Sequence, residues 1–490
     1  MSPPRRPGNA LTQSGGRRTV LPCRMRCFPA DSRAVLILAA ALGLGVLANA
    51  LHAAPSPAEQ SWPAWRGPVG TGVAPHGDPP VTWGETDHLK WKVRIPGRGT
   101  ATPIVWGNLV FVQTAIPSGK REAADSEPQA ADPPSTSPVN PVPQGPRSGG
   151  GPRAVAAKEA HQFALLCLDR QTGRTLWQKV AREELPHEGH HPEHGFASHS
   201  PVTDGQRVFA YFGSRGLHAY DLQGDLKWSK DLGRMRTKMT FGEGSSPALY
   251  DRTLVVNWDH EGEDFVVALD AVTGRELWRQ SRDEETSWAT PLIVQHEGKA
   301  QVVTSATRKI RSYDLAAGRL LWECAGMTAN VIPTPVTADG MVYATSGFRG
   351  NALLAIRLGR TGDLAGTDGI VWSLNKATPY VPSPLLYEDR IYFFSGNNAV
   401  LTCCDAKTGR VLIDGEKLAD LLGVYASPVA AAGRVYLVGR NGAALVLRRS
   451  DQLEVLATNR LDDKFDASPA IAGKELFLRG RENLYCLAEP

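Results

Sequence analysis

Four histidines lie close together in the first half of the chain, at spacings that metal-binding loops use. They are His187, His190, His191 and His194. Neutral imidazole is a common ligand of zinc and other transition metals. However, glycine and proline are interspersed among these residues, so the segment reads as a loop, without a helix that would fix the ligand geometry. A polar loop is the favoured interpretation, and a metal site is the alternative.

A second candidate is the acidic turn 257–264, which contains Asp259, Glu261, Glu263 and Asp264 beside a histidine. Calcium prefers loops that are rich in oxygen ligands, so this segment is a candidate calcium site. It joins the second and third strands of a repeat unit, and we expect it to lie away from the centre of the fold. A solvated hairpin is the favoured interpretation.

Cys403 and Cys404 are adjacent in the chain. Neighbouring residues in a strand point to opposite faces of the sheet, so a disulfide between them would need a distorted peptide in a loop. Both lie inside a predicted strand, and Cys403 occupies a repeat position that holds small residues elsewhere. Those residues are Cys167, Ala219, Ala268, Ser312, Ala355, Val446 and Cys486. Core packing is therefore the favoured role for this pair.

An internal repeat of about 44 residues positions all of these candidates. Its marker is a Ser/Thr-Pro pair, followed by a short apolar strand, a turn with Gly or Asp, and a β-rich run. The eight pairs end at Pro103, Pro201, Pro247, Pro291, Pro335, Pro384, Pro428 and Pro469. Strands and turns without a helical period indicate antiparallel sheet, and the period matches a four-stranded propeller blade.

The second half of most units ends in a tryptophan that we expect to pack on the neighbouring unit. The clearest copy runs from Ala268 through Asp270, Thr273 and Gly274 to Trp278. Asp before a tight turn caps backbone N–H groups, and Gly supplies the positive φ of the turn. The indole offers a flat face for burial and an N–H for a carbonyl. The tryptophans assigned to this docking role are Trp91, Trp177, Trp228, Trp278, Trp322 and Trp372.

Two units depart from this pattern, and one lacks its last strand. The sixth has Ile413 in place of tryptophan and the seventh has none, so both are expected to dock less specifically. The eighth ends near Leu487 after three strands, and segment 89–93 resembles the missing outer strand. Completing the last unit with an N-terminal strand removes a free sheet edge. The sequence therefore predicts an all-β fold over 89–490, an eight-bladed β-propeller of four-stranded antiparallel blades closed by 89–93.

In such a propeller the first strand of each blade lines a central channel, so the residues just before each Ser/Thr-Pro pair crowd one mouth of it. These residues are Phe196, His199, Phe241, Glu243, Trp288, Asn330, Tyr380, Tyr425, Phe465 and Asp466. Aromatic side chains with scattered polar groups can hold a ligand or a peptide. The equally weighted alternative is that they only fill the funnel.

The N-terminal segment 1–54 reads as a secretory signal peptide, or as an uncleaved membrane anchor, because arginines precede an apolar run at 34–48 and small-residue sites follow. This segment has a net charge of +6 within a whole-chain value of +4, so 55–490 carries about −2. That charge gives no sign of a nucleic-acid-binding surface. We expect an exported, monomeric protein of the periplasm or cell envelope.

Two segments outside the repeat complete the organisation. Residues 55–88 form an N-terminal extension before the ring. Residues 117–160 consist of Pro, Ser, Ala, Gly and charged residues with hardly an aliphatic side chain. Such a composition cannot bury enough surface to offset the entropy of ordering, so we predict a disordered insertion between the second and third strands of blade 1.

The pattern A-x-D-x-x-T-G-x-x-x-W at 268–278 resembles the tryptophan-docking repeat of pyrroloquinoline-quinone (PQQ) type β-propellers. The segment Trp62-Pro-Ala-Trp65-Arg-Gly-Pro also resembles the start of exported bacterial PQQ-like repeat proteins. This superfamily includes the propeller lipoprotein of the outer-membrane barrel-assembly machinery and quinoprotein alcohol dehydrogenases. The resemblance covers 62–490 apart from the insertion, and it specifies the fold more closely than the activity.

The dehydrogenases of that superfamily imply PQQ, a calcium ion beside it, and a disulfide between adjacent cysteines that stacks on the quinone. Here the adjacent cysteines lie in a strand, the haem-attachment motif C-x-x-C-H is absent from the sequence, and no ligand set or catalytic residue can be assigned. The resemblance therefore favours a non-catalytic binding or scaffolding propeller, with a ligand or an envelope protein at the channel mouth. The alternative is a PQQ- and calcium-dependent alcohol or sugar dehydrogenase.

Overall fold

The computed structural model describes residues 56–120 and 152–490, and these residues form a β-propeller of eight blades. Each blade is built on four antiparallel strands, and blade 4 has a short fifth strand at its outer edge, which confirms the predicted fold. Within the described ranges, helix is limited to two single 3-10 turns, Gly213–Arg215 and Lys238–Thr240. The predicted leader, 1–54, lies outside the described residues, as does 121–151 of the predicted insertion.

The strands of the first four blades follow the chain from the channel outwards, after strand β1 (Leu89–Arg94), which belongs to the last blade. Blade 1 holds β2 (Ile104–Trp106), β3 (Leu109–Pro117), β4 (His161–Asp169) and β5 (Thr175–Glu184). Blade 2 holds β6 (Val202–Thr203), β7 (Arg207–Tyr211), β8 (Leu217–Asp221) and β9 (Leu226–Lys230). Blade 3 holds β10 (Ala248–Tyr250), β11 (Thr253–Trp258), β12 (Phe265–Asp270) and β13 (Glu276–Ser281). Blade 4 holds β14 (Leu292–His296), β15 (Lys299–Ser305), β16 (Ile310–Asp314) and β17 (Leu320–Cys324).

The remaining four blades repeat this order, and β1 completes the last of them. Blade 5 holds β18 (Val336–Ala338), β19 (Met341–Ser346), β20 (Ala352–Arg357) and, after the short strand β21 (Gly362–Asp363), β22 (Ile370–Leu374). Blade 6 holds β23 (Leu385–Tyr387), β24 (Arg390–Phe394), β25 (Val400–Asp405) and β26 (Val411–Lys417). Blade 7 holds β27 (Val429–Ala431), β28 (Arg434–Val438), β29 (Ala443–Arg448) and β30 (Val455–Arg460). Blade 8 holds β31 (Ala470–Ala472), β32 (Glu475–Arg479) and β33 (Asn483–Ala488).

The junction between blades is a tryptophan laid on a glycine. Trp278 of blade 3 donates its Nε1–H to Leu315 O of blade 4 at 2.8 Å. Its ring lies over Gly318, where an added Cβ would sit 2.6 Å from the indole. Gly318 therefore serves two needs, because its φ of +71° also suits the turn. Four other docking tryptophans donate in the same way, Trp91 to Arg170 O, Trp177 to Leu222 O, Trp228 to Ala271 O and Trp372 to Ala406 O.

The ring closes through β1, as predicted. Strand β1 pairs antiparallel with β33, and Trp91 lies opposite Cys486. Trp91 then rests on Gly173 of blade 1, where an added Cβ would lie 2.8 Å from the indole. The seam between blades 8 and 1 is thus built like the internal junctions.

Trp322 differs from the other docking tryptophans. Its Nε1–H bonds to Gln301 Oε1 within its own blade at 3.0 Å, not to a carbonyl of blade 5. The longer turn of blade 5 explains this difference, since β21 pairs in parallel with Trp322 and Glu323 as a fifth strand of blade 4. The turn of blade 5 therefore pairs with the outer strand of blade 4, which contains Trp322.

Blade 7 has no tryptophan of its own, and the N-terminal extension packs a tryptophan against it. Trp83 is 5% exposed and stacks on Tyr436 with ring centroids 6.4 Å apart. Its backbone N–H donates to Asn459 Oδ1 at 2.9 Å, close to Ala457, which stands opposite Val446 where other blades have tryptophan. The expectation of a loose junction here is therefore wrong in part, because a distant tryptophan supplies the aromatic packing.

The Ser/Thr of each repeat marker forms a belt of hydrogen bonds around the channel. In each link a backbone N–H of one blade donates to the hydroxyl of the next, at 2.9–3.0 Å. The seven links run in order through Thr102, Ser200, Ser246, Thr290, Thr334, Ser383, Ser427 and Ser468. Thr102 Oγ1 is buried without a hydrogen-bond partner among the described residues, so its hydroxyl has no share in the belt.

The extension before the ring enters the channel on the far side of this belt. Trp62 exchanges backbone hydrogen bonds of 2.9 Å with Val105 on the inner strand of blade 1. The guanidinium of Arg66 donates to Pro384 O at 3.0 Å and to Pro428 O at 3.1 Å, and burial lowers the pKa of Arg66 to about 9. Backbone groups of inner strands that face the channel thereby find partners.

The two ends of the predicted insertion are described. Pro117 belongs to β3 and pairs with His161 of β4. Ser118 N donates to Ala160 O at 2.9 Å, which continues the ladder by one step. Val155 forms an isolated antiparallel bridge with His190. The insertion therefore leaves blade 1 on the same side as the four histidines.

The belt predicts different costs for two identical substitutions. Thr290→Val removes the acceptor of the Ser246 N–H and should lower the free energy of unfolding by about 1–3 kcal/mol, because a buried donor loses its partner. Thr102→Val removes no hydrogen bond and should change the free energy of unfolding by no more than about 0.5 kcal/mol. Denaturant unfolding of both variants measures these values, and equal costs would show that the belt contributes nothing.

Candidate functional site

The mouth of the channel is covered by residues 187–196, named here the histidine loop. This loop connects blades 1 and 2. His187 Nε2 donates to Met235 O at 2.7 Å, and His194 Nε2 donates to Glu243 O at 2.9 Å. The backbone N–H of His191 donates to Phe241 O at 3.0 Å. These contacts fix the loop to the connection between blades 2 and 3.

One side chain of the histidine loop crosses to the other side of the mouth. Glu193 accepts hydrogen bonds from the Tyr425 hydroxyl and from Arg440 Nη1. Tyr425 lies in the connection that precedes blade 7, and Arg440 follows the second strand of that blade. Arg440 lies over the ring of Tyr425 at 4.1 Å and also donates its Nε–H to Asp466 at 2.5 Å. Asp466 in turn accepts from Arg481 at 3.0 Å. Burial raises the pKa of Glu193, but the hydrogen bonds from Tyr425 and Arg440 lower it by more, so the carboxylate is ionised at neutral pH.

A buried ion cluster lies under the fixed end of the histidine loop. The Arg215 side chain is 5% exposed, and it contacts Glu184 and Glu243 at 3.2 Å each. Glu243 also accepts from Ser214 N at 2.7 Å. Between the histidine loop and this cluster there remains a cavity of about 10 Å³, which is room for a single water molecule.

The other residues predicted for the mouth divide into three groups. Phe196 and Trp288 join the covered side, since Phe196 meets His190 edge-on at 4.7 Å and Trp288 Nε1 donates to Gly242 O at 2.7 Å. Tyr380 stacks on Phe348 at 4.8 Å on another part of the rim, near Asn330, whose φ is +53°. His199 and Phe465 are 2% and 1% exposed, so they lie in the wall of the channel rather than at its surface.

The four loop histidines point to separate partners. Besides the bonds of His187 and His194, His190 Nδ1 bonds to His191 O at 2.7 Å, and His191 Nδ1 accepts from Glu193 N at 3.2 Å. Within 56–120 and 152–490, no three His, Cys, Asp or Glu side chains converge in a way that could hold a metal ion. The metal hypothesis for this loop stays a prediction from sequence.

The acidic turn 257–264 is a solvated hairpin only in part, because Glu261 and Glu263 are exposed while Asp259 and Asp264 are buried. Asp259 is 2% exposed and forms a two-point ion pair with Arg282 of 2.6 and 3.1 Å, with both side chains fully buried. Ser287 Oγ donates to the same carboxylate at 2.5 Å, and Asp264 accepts from Glu284 N at 2.7 Å. Since the turn lies on the mouth side of blade 3, its carboxylates join that blade to blade 4.

Sequence reasoning missed the residues that close the mouth. Glu193 and Arg440 are 247 positions apart, and neither belongs to the repeat pattern. Arg215 follows a strand in blade 2 and carries no motif. The useful signal is the excess length of the blade 1–2 connection after β5, which leaves chain available to cover the channel.

A family model described as "Outer membrane protein assembly factor BamB" matches residues 124–263 and 262–489, which is more than half of the chain. The chain belongs to this family. No curated protein sequence matches it.

Solved structures match this BamB-family chain at low identity. BamB from Moraxella catarrhalis is 13% identical and has a TM-score of 0.47, covering 69% of this chain and 96% of its own. The quinohemoprotein alcohol dehydrogenase from Comamonas testosteroni is 10% identical and has a TM-score of 0.55, covering 89% and 81%. A europium-containing methanol dehydrogenase is 9% identical and has a TM-score of 0.56, covering 89% and 98%. At such identities the dehydrogenases show the propeller fold alone.

The adjacent cysteines do not fit a quinone site. Cys403 and Cys404 are both free and fully buried inside β25, where they lie opposite Ile413 and Val411. Burial raises the pKa of Cys403 to about 12, so its thiol stays protonated and unreactive. A disulfide that stacks on a quinone at the mouth would need both sulfurs outside the core, and the geometry of β25 excludes this.

In the described part of the chain, no helix is long and apolar enough to cross a membrane. The anchor predicted for 1–54 lies outside that part.

Buried histidines under the mouth predict acid sensitivity. Burial lowers the pKa of His194 to about 4 and that of His199 to about 3. The unfolded chain therefore binds more protons than the folded one below about pH 6.5, and stability must fall as the pH drops through this range, by up to ~1.4 kcal/mol per pH unit for each histidine. His199→Phe should reduce that slope by about one proton between pH 6 and 4.5, measured by denaturant unfolding.

The exposed His76 offers the matched control. The curve for His76→Gln, recorded in parallel, shows the effect of replacing a histidine outside the buried region. Parallel curves for the wild-type protein and His199→Phe would mean that His199 is not held neutral in the folded state.

Proposed function

We propose that this protein is a non-catalytic binding or scaffolding propeller of the bacterial cell envelope, which holds a protein partner on the rim of its channel mouth. Its membership of a family described as an outer membrane protein assembly factor supports an exported location and a protein partner. The arginine-rich, apolar leader at 1–54 supports export independently.

The observation that carries the proposal is a strained turn on the mouth face. Met239 and Thr240 both have positive φ, +53° and +54°, although neither is glycine. Such a conformation costs roughly 1–2 kcal/mol per residue. The turn presents Met239 outward with 64% of its surface exposed. Backbone strain that displays an apolar side chain to solvent is typical of an interaction site, where methionine is enriched.

A second apolar side chain stands on the same face. Leu422, in the connection before blade 7, is 68% exposed, and it and Met239 are the two most exposed large hydrophobic side chains among the described residues. The mouth between them is filled by the histidine loop, and its cavity holds no more than a water molecule. A rim of this kind suits a macromolecular partner better than a small substrate, which needs a concave pocket.

Site-specific photo-crosslinking in the native cell tests this proposal. A photoreactive phenylalanine at position 239 or 422 should crosslink to one envelope protein. The same residue at position 250 should not, because Tyr250 is 37% exposed but lies at the opposite end of the inner strand. The crosslinked protein should also lose its association with a Met239→Glu, Leu422→Glu variant whose melting temperature is unchanged.

The dehydrogenase alternative makes a different prediction, which is tested on the purified protein. Purified protein that takes up PQQ with calcium stoichiometrically and reduces a dye in the presence of an alcohol would overturn the scaffold proposal. Equal crosslinking from 239 and 250 would show that the mouth face has no special role.

A further inference from the structure

Glu193 binds to a site on blade 7 whose other residues are held in place by contacts that do not involve Glu193. Arg440 is held from three sides, by Asp466, by the ring of Tyr425 and by the carbonyl of Gly423, to which its backbone N–H donates at 3.1 Å. Asp466 is itself fixed by Arg481. None of these contacts involves the histidine loop, so a phenol and a guanidinium are in place to receive a carboxylate whether or not Glu193 is present.

The carboxylate that fills this site is more exposed than the arginine it pairs with and the aspartate beneath that arginine. The Glu193 side chain is 41% exposed, whereas that of Arg440 is 19% exposed and that of Asp466 is 5% exposed. Glu193 is also the residue by which the histidine loop reaches blade 7, since its other contacts described above are with blades 1 to 3. Because the Glu193 side chain is half exposed and the other contacts of Arg440 do not depend on it, Glu193 can leave the site while Arg440 and Tyr425 stay in place.

We propose that Tyr425 and Arg440 form a recognition site for an acidic side chain of a protein partner, and that Glu193 is an internal stand-in which the partner displaces. The charge and geometry select a carboxylate, because a guanidinium and a hydroxyl donate two hydrogen bonds to one anion. Leu422, which is exposed three positions before Tyr425, supplies an apolar neighbour. The partner segment therefore carries an acidic residue next to an apolar one.

This inference rests on the proposed function and names the chemistry of its partner. Displacement of Glu193 removes the contact of the histidine loop with blade 7, while His187, His191 and His194 keep the loop on the connection between blades 2 and 3. Binding at blade 7 therefore exchanges the carboxylate of the partner for that of Glu193.

Peptide binding to the full chain tests the exchange. The probe is a fluorescent peptide with the sequence Leu-Glu-Glu-Leu, and a Leu-Gln-Gln-Leu peptide is its control. Glu193→Gln should bind the acidic probe at least about fivefold more tightly than the wild-type protein, because a tethered competitor at millimolar effective concentration is weakened. The double variant with Glu193→Gln and Tyr425→Phe should lose this gain in affinity for the acidic probe. The wild-type protein and the Glu193→Gln variant should not bind the glutamine peptide.

The matched control for charge is Glu416→Gln. Glu416 is exposed on the outer strand of blade 6, and its loss should leave the affinity unchanged. In Glu193→Gln, amide hydrogen exchange should accelerate in 187–196 while the melting temperature stays near that of the wild-type protein. Free glutarate should compete only weakly, and competition as strong as that of the peptide would overturn the assignment to a protein partner.

Equal affinity of the wild-type protein and Glu193→Gln for the acidic probe would overturn the internal stand-in. If the photoreactive residue at position 239 still crosslinked to an envelope protein, equal affinities would reject only the carboxylate exchange and leave the proposed function standing. Loss of the crosslink as well would reject both proposals.

Discussion

The structure depends on the packing of an indole against a glycine of the next blade. A four-stranded blade has two apolar faces and no helix to cover them, so each sheet must bury its faces against its neighbours. The tryptophan contributes a large flat area to that burial, and its N–H to a carbonyl fixes the angle between the sheets. Trp278 on Gly318 shows the arrangement in full, and the chain repeats it at Trp91, Trp177, Trp228 and Trp372.

Closure extends this interaction to the ends of the chain. With Trp91 in β1 the seam between blades 8 and 1 has the same chemistry as the other junctions, so no sheet edge or apolar face is left at the seam. The extension that precedes β1 then has two further tasks. It supplies Trp83 to blade 7, and it carries Arg66 and Trp62 into the channel.

The closed channel bears directly on function. Residues around Arg66 fill one side of the belt, and the histidine loop covers the other. The side chains best placed to meet another molecule are thus on the rim, in particular Met239 and Leu422. A BamB-family propeller arranged in this way presents a surface at its rim, where Glu193 occupies the proposed carboxylate site beside Arg440.

Local sequence patterns predicted the fold well because the contacts that define a blade are close in sequence. The pairing of Ala268 with Trp278, for example, follows from a turn of a few residues. The contacts that define the mouth and the filled channel join residues hundreds of positions apart, such as Glu193 with Arg440 and Arg66 with Pro428, and they have no period to reveal them. The acidic turn at Asp259 was misjudged for a different reason: its partner Arg282 is only 23 positions away, but it lies on the connection to the next blade and belongs to no repeat motif.

Closure of the ring is tested most directly by comparing Trp91→Ala with Trp278→Ala in denaturant unfolding of the whole protein. Both should cost about 3–5 kcal/mol, because each removes a packed indole from a junction of the same kind. Each variant should still unfold in a single transition. If Trp91→Ala cost less than about 1 kcal/mol while Trp278→Ala carried the full penalty, the seam would be a loose end and the closed ring would be contradicted.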